Sequence, residues 1–285
     1  MSITGKAKLA GIIGWPVTHS LSPILHGHWL AEYQIDGAMV PLAARVEDFA
    51  AIIDGVRRAG FAGVNVTLPH KEAAFAMAHS LDGPAKAAGA VNLLVFAGGK
   101  MEGRNTDAVG LAESLREEIG TLAGMSVVLL GAGGAARGAI LSLDMLGAAR
   151  IHLLARDSKK AASLAAALAP QIRAKIEPAA LSDWRRAAEG AALAVNSTSA
   201  GMANNPPLEI DLGALPQAAA VCDIVYNPLE TKLLKDAAAR GHKTIDGLGM
   251  LLHQAVPSFE AFFGIRPKVT PALRQALVKV LRARG

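Results

Sequence analysis

Two charged residues stand where the surrounding apolar sequence gives them no packing use. Lys71 follows NVTLPH (65–70), and Asp107 ends NTD (105–107). A cation at a helix start opposes the helix dipole, so Lys71 asks for a reason beyond the helix itself. The plainer alternative is a solvated surface lysine. Asp107 falls at the junction of the two halves of the chain, and its plainer alternative is a helix cap. If adjacent, the two could hold a reacting oxygen and relay a proton to it, or Lys71 could act as a fixed cation that stabilises developing oxyanion charge. HSLSP (19–23) sets Ser20 and Ser22 just before a helix, where hydroxyls and backbone donors can hold an anion; Ser22 taken alone also reads as the helix cap. Thr67 ends a strand, and Asn92 lies early in another, after AGA at 88–90.

A second signal is GAGGAA at 131–136, which fits G-x-G-x-x-G/A with Gly131, Gly133 and Ala136. It directly follows an apolar strand and opens a helix, the context that separates a dinucleotide fingerprint from an ordinary strand–helix turn. Gly131 permits the tight turn, Gly133 lets backbone approach a pyrophosphate, and Ala136 allows close helix–strand packing. The end of the next strand reads Ala155-Arg156-Asp157-Ser158-Lys159-Lys160. Arg156 can clamp a 2′-phosphate and a lysine can add charge, which favours NADP. Asp157 could instead serve a ribose 2′-hydroxyl, as in NAD sites.

These residues need a scaffold, and the rest of the chain supplies one. Apolar runs at 8–14, AMVPL, 63–68, 90–96, 125–130, 150–156, 192–198 and 219–226 alternate with helical segments at 22–33, 47–59, 70–79, 107–120, 158–168 and 229–240; helices near 248–263 and 271–284 follow. Such alternation predicts an α/β fold with mostly parallel sheets. The 285 residues suggest two domains, divided near Asp107, and 52% hydrophobic against 19% charged residues exclude disorder. The net charge of +5 is local: residues 266–285 carry six cations and no acid, and without them the chain stands at −1. A solvated basic helix is the simpler reading, so no nucleic-acid partner is expected. No apolar run reaches membrane-spanning length, and the N-terminus lacks a signal peptide's apolar stretch and cleavage site. The single cysteine, Cys222, excludes an internal disulfide or thiolate metal site and fits the cytoplasm.

Eight ordered segments, GWPVTHSLSPILH, GVNVTLPHKE, AGAVNLL, GRNTDAVG, LLGAGGAARGA, NSTSAGM, DIVYNPLETKLL and DGLGMLLHQAVPSFE, span about 250 residues. On them the chain resembles the shikimate dehydrogenase family. The resemblance implies an N-terminal α/β substrate domain (1–107, completed by 248–285) and a Rossmann domain (108–247). It implies NADPH-dependent reduction of 3-dehydroshikimate to shikimate in aromatic amino-acid biosynthesis, with no metal. The catalytic pair falls on Lys71 and Asp107, and the carboxylate-binding serines on Ser20 and Ser22. Further substrate contacts fall on Thr67, Asn92, Tyr226 and Gln254. Phosphate-loop contacts fall on Gly131, Ala132, Gly133, Gly134 and Ala135, 2′-phosphate contacts on Arg156 and Lys160, and the nicotinamide end on Ile224 and Gly247. Substrate on one domain and NADPH on the other imply a cleft that closes to exclude water. The partners are small molecules, with a homodimer left open. The family's usual Asn-Arg-Thr at the 2′-phosphate loop is Ala155-Arg156-Asp157 here, Ala108 replaces a glycine, and Gly27 replaces an asparagine. The first departure keeps a rival in view, a quinate/shikimate dehydrogenase using NAD or both cofactors. A methylenetetrahydrofolate dehydrogenase lacks support, because its tyrosine–lysine spacing is absent.

Overall fold

KLAGIIG forms β1 (Lys8–Gly14) in the computed structural model, which describes residues 3–284. It is followed by α1 (Ser22–Glu32), β2 (Gly37–Ala43), α2 (Phe49–Arg58), β3 (Gly63–Val66), α3 (Lys71–Met77), β4 (Ser80–Leu81), α4 (Gly83–Ala88), β5 (Leu93–Ala97) and β6 (Lys100–Arg104). Their strands make one sheet in the order β2-β1-β3-β5-β6-β4. β1 runs parallel to both β2 and β3, whereas β5 is antiparallel to β3 and β6. The β5–β6 reversal is a hairpin whose two turn residues, Gly98 and Gly99, both have positive φ (56° and 76°). Glycine alone adopts that pair cheaply, and the primed turn matches the strand twist. The sheet is therefore mixed, with three of its five pairings parallel, in line with the mostly parallel pairing that the alternation predicts.

The chain continues as α5 (Asp107–Ile119), β7 (Ser126–Leu130), α6 (Gly134–Met145), β8 (Arg150–Ala155), α7 (Ser158–Leu168), β9 (Lys175–Ala180), α8 (Trp184–Ala188), β10 (Leu193–Asn196), β11 (Ala220–Asp223), α9 (Lys232–Ala239), β12 (Lys243–Ile245), α10 (Leu248–Phe263) and α11 (Pro271–Arg284). These strands form a second, wholly parallel sheet in the order β12-β11-β10-β7-β8-β9. The chain divides into two units. One runs to Thr106 and takes up Gln254–Lys279; the other comprises Asp107–His253 and the chain from Val280 onward.

In the second unit both faces of the sheet are covered. Val127 and Leu129 of β7 pack with Leu115, Ile140 and Leu143, while Val128 and Leu130 pack with Trp184, Leu233 and Leu234 on the opposite face. That is why SVVLL is apolar without alternation. The prolines of the sheets, Pro41 in β2 and Pro178 in β9, both occupy edge strands, where a missing N–H breaks no central ladder. Among the described residues no helix is long and apolar enough to cross a membrane.

Candidate functional site

Three parallel strands of the first unit, β2, β1 and β3, end at one edge, and the loops that leave them carry the polar residues. In α/β sheets ligands lie beyond the carboxyl ends of such strands. The Thr67 N–H donates to the Ile13 carbonyl at 2.9 Å and the Trp15 N–H to that of Leu68 at 3.1 Å, so the loops after β1 and β3 run side by side. Ser22 is the first residue of α1 rather than its cap; Leu21 holds the cap position and makes no side-chain bond. Of the first-turn positions of α1, Pro23 has no N–H and the Ser22 N–H is engaged by the Ser20 hydroxyl. Ser20 accepts the Ser22 N–H at 3.2 Å, which gathers both serines at the helix start.

Lys71 opens α3 and is half-buried, and its carbonyl accepts the N–H of Val91 at 2.9 Å. His70, before it, is buried and stacked on Phe49 at 4.5 Å, and its Nε2 donates to the Ala44 carbonyl at 2.8 Å. The start of α3 is thus fixed to the loop after β2 on one side and to the segment before β5 on the other.

Asn92 lies just ahead of β5, buried, and its carboxamide meets Thr106 at both ends. Its Oδ1 accepts the Thr106 N–H at 2.8 Å, and its Nδ2 donates to Thr106 Oγ1 at 3.0 Å. Thr106 Oγ1 also reaches Gln254 Oε1 at 3.4 Å. Three residues separated by 14 and 148 positions in sequence form one polar chain. Asn65 of β3 adds a second link, donating to Ser258 Oγ of α10 at 2.7 Å and to the Asn92 carbonyl at 3.3 Å. Sequence reading passed over Thr106, although its place between Asn105 and Asp107 in NTD was in view.

In the second unit the strand order reverses between β7 and β10, and GAGGAA leaves the end of β7 at that point. Gly131 has φ +110°, and a Cβ there would meet Ser197 Oγ and Thr198 Cγ2, each at 2.9 Å. Only glycine fits, for conformation and for space. Built Cβ atoms on Gly133 and Gly134 meet nothing within 4 Å, so this side of the loop is open. α6 opens without a side-chain cap or an acid in its first turn, leaving its N–H groups for an anion. Ala136 is fully buried beneath the helix.

The Gly131 N–H donates to the Leu154 carbonyl at 2.8 Å, which brings the glycine loop beside the end of β8. Arg156, Asp157, Lys159 and Lys160 follow there, all exposed. Asp157 caps α7: its Oδ1 accepts the N–H groups of Lys159 at 3.0 Å and Lys160 at 3.3 Å. A carboxylate turned into the helix start is engaged in capping. Among the described residues no carboxylate pairs with Arg156, Lys159 or Lys160. The open glycine loop, the uncapped helix and the local cations fit a dinucleotide with a 2′-phosphate.

At the other end of this site Gly247 lies against Ile224; a Cβ there would come within 2.1 Å of the Ile224 carbonyl. Behind them Asp223, fully buried, accepts from Asn196 at 3.0 Å, from the Val225 N–H at 3.1 Å and from Thr231 at 2.7 Å. Burial pushes its carboxyl above the usual range, while the three donors pull the other way. This cluster holds the β10 and β11 loops, the second bearing Ile224 and a half-buried Tyr226. Asp107 begins α5, and a Cβ on Gly138 of α6 would lie 3.5 Å from the Asp107 Cβ. Ser142 of α6 donates to the Ala108 carbonyl at 2.8 Å. Asp107 is thus held against the helix that the glycine loop opens. Among the described residues no group of three His, Cys, Asp or Glu could hold a metal ion.

Comparison with known proteins decides the family. Residues 12–94 match the shikimate dehydrogenase substrate-binding domain and residues 247–277 the shikimate 5′-dehydrogenase C-terminal domain. The shikimate dehydrogenase (NADP(+)) of Paramagnetospirillum magneticum is 49% identical over 278 residues, covering 95% of this chain and 98% of that protein. That of Rhodospirillum rubrum is 50% identical over 279 residues, covering 97% and 99%. The chain belongs to the shikimate dehydrogenase family. A crystal structure of a shikimate dehydrogenase in complex with NADP+ superposes with a TM-score of 0.89 at 34% identity, covering 98% of each chain. The mixed sheet of the first unit and the parallel sheet of the second are thus the fold of a shikimate dehydrogenase.

Proposed function

We propose that the protein catalyses the NADP(H)-linked interconversion of 3-dehydroshikimate and shikimate. One observation carries this reading: Asp107, the family's catalytic aspartate, follows Thr106 of the Asn92–Thr106–Gln254 chain and is packed on the helix that the glycine loop opens. NADP(H), when bound, supplies or accepts the hydride.

The residues of this chain do the rest. Ser20 and Ser22 hold the substrate carboxylate through their hydroxyls. Thr67, Asn92, Tyr226 and Gln254 bind the ring oxygens. We assign the reacting oxygen to Lys71 and Asp107, the positions of the family's catalytic pair, with the lysine ammonium donating the proton when the carbonyl becomes a hydroxyl. Gly131 to Ala135 hold the pyrophosphate through backbone donors, Arg156 and Lys160 hold the 2′-phosphate, and Ile224 and Gly247 border the nicotinamide. We assign residues 1–107 with 248–285 to substrate and 108–247 to cofactor. The thiol of Cys222, fully buried in β11, is in keeping with a reducing compartment, and we place the activity in the cytoplasm. The capping bonds of Asp157 support NADP over the NAD-linked alternative. The test is consumption of NADPH on addition of 3-dehydroshikimate; a preparation that binds NADPH yet leaves it unoxidised contradicts the reading.

A further inference from the structure

We propose that Gly14 is a positioning residue for the substrate: the space beside its Cα seats the Thr67 methyl group, and the seated methyl fixes the side on which Thr67 presents its hydroxyl. The inference rests on the shikimate dehydrogenase reading, in which Thr67 binds a ring oxygen, and deepens it.

The parallel register of β1 and β3 pairs Ile12 with Asn65 and Ile13 with Val66. The bond from the Thr67 N–H to the Ile13 carbonyl carries that pairing past the end of β3, so Gly14 comes level with Thr67. A Cβ built on Gly14 would overlap Thr67 Cγ2, and would lie 3.8 Å from Thr67 Cβ and 3.2 Å from the Leu68 carbonyl oxygen. Gly14 is not among the glycines with positive φ, so room and not conformation calls for glycine here. Its missing side chain leaves a slot, and the Thr67 methyl fills it. Threonine is chiral at Cβ, so seating the methyl also places the hydroxyl, and the branched side chain is stiff about χ1.

Thr67 stands on the face of the sheet that α10 covers. Side chains two apart on a strand share a face. A Cβ on Gly63 would come within 2.6 Å of Phe262 Cε1, and Asn65 donates to Ser258 Oγ at 2.7 Å, so this face of β3 lies against α10. Two strand residues rise about 6.6 Å and four helix residues about 6 Å. The next pair in the series is therefore Thr67 with Gln254, both assigned to the substrate. A methyl on residue 14 would expel the Thr67 methyl and leave only the Thr67 Hβ small enough for the slot. That turn of about 120° in χ1 sets the methyl where the hydroxyl had stood.

The test is shikimate oxidation with NADP in Gly14→Ala, in Thr67→Ser and in the double variant. Gly14→Ala should raise KM for shikimate at least ~10-fold and leave KM for NADP within about 2-fold of wild type. That selectivity separates a misplaced hydroxyl from general damage to the fold. Thr67→Ser keeps the hydroxyl but loses the methyl that anchors it among three staggered wells, and should raise KM for shikimate about 3-fold. On the Thr67→Ser background Gly14→Ala should cost less than about 2-fold, because serine turns a hydrogen to the slot and leaves its hydroxyl in place. The double variant should therefore bind shikimate better than Gly14→Ala alone. If Gly14→Ala folds poorly, the χ1 of Thr67 in the wild-type protein, read from three-bond couplings to its methyl carbon, decides the matter. A single rotamer is expected, and averaging over several would overturn the proposal. An unchanged KM for shikimate in Gly14→Ala, a rise of equal size in both KM values, or no rescue by Thr67→Ser would each overturn it as well. Wild-type protein that does not oxidise shikimate would instead remove the underlying reading.

Discussion

In the first unit the groups assigned to the ligand are side chains: two serines, a threonine, a lysine and two amides, brought together by loops from strands of mixed direction. In the second they are mostly backbone: a glycine turn, an uncapped helix and one local group of cations on a wholly parallel sheet. A small polyhydroxy acid offers hydroxyls at fixed angles, and only directed side chains tell one hydroxyl from another. A pyrophosphate is a diffuse anion that any row of N–H groups can hold. Substitutions should therefore act sharply and selectively in the first unit, and through room and charge in the second.

The largest effect belongs to Lys71 and Asp107. Lys71→Ala or Asp107→Asn should lower kcat for shikimate oxidation by ~100-fold or more while NADP affinity holds. A Lys71→Ala variant with near-normal turnover would break the comparison at its strongest point. The double variant Ser20→Ala/Ser22→Ala comes next, with a loss on the order of 30-fold that falls in KM for shikimate rather than in kcat. A shikimate titration unchanged by the two substitutions would remove the serines from the carboxylate.

His26 sharpens the contrast through pH. It is fully buried among Trp29, Phe259, Phe262 and Phe263, neither ring nitrogen has a partner among the described residues, and burial pushes its pKa from 6.5 down to about 3. The unfolded chain protonates this ring first, so stability is full above pH 6.5 and is lost as pH falls from 6.5 towards 3. The loss is about 1.4 kcal/mol per pH unit in that window. Denaturant titrations at pH 7 and pH 5 should therefore differ by about 2 kcal/mol more in the wild type than in His26→Leu. An identical acid response in the two proteins would show that His26 carries none of it.

In the second unit the smaller effects divide by role. Arg156→Ala should raise KM for NADP roughly 10-fold more than for NAD, because only NADP carries the 2′-phosphate. Asp157→Ala should cost about 1 kcal/mol of stability through the lost cap and leave cofactor preference nearly unchanged. A switch of preference towards NADP in Asp157→Ala would mean that the carboxylate had faced the ribose.

Sequence pattern located the second unit more fully than the first. A buried parallel sheet writes itself as apolar runs, and α7 and α10 begin and end where periodicity places them. The strands that pattern passed over lie at or next to edges. KMEGR of β6 carries charges because it belongs to a hairpin near the sheet margin, KIEPAA of β9 contains a proline that only an edge tolerates, and β4 is two residues long. At the site, residue type marked Ser20, Lys71 and Arg156 as chemistry, because each is costly or unusual where it stands. Thr106 is ordinary in composition, and its partners are distant in sequence, so spacing could not reveal it. Asp157 was ambiguous by type, and the hydrogen bonds of a helix start gave it a cap's role.

The most direct measurement is the initial rate of oxidation of shikimate and of quinate, each with NADP and with NAD, on one preparation. The account predicts that shikimate with NADP has the highest kcat/KM of the four pairs, by at least about 10-fold over shikimate with NAD. A higher kcat/KM with NAD, or with quinate, would contradict it.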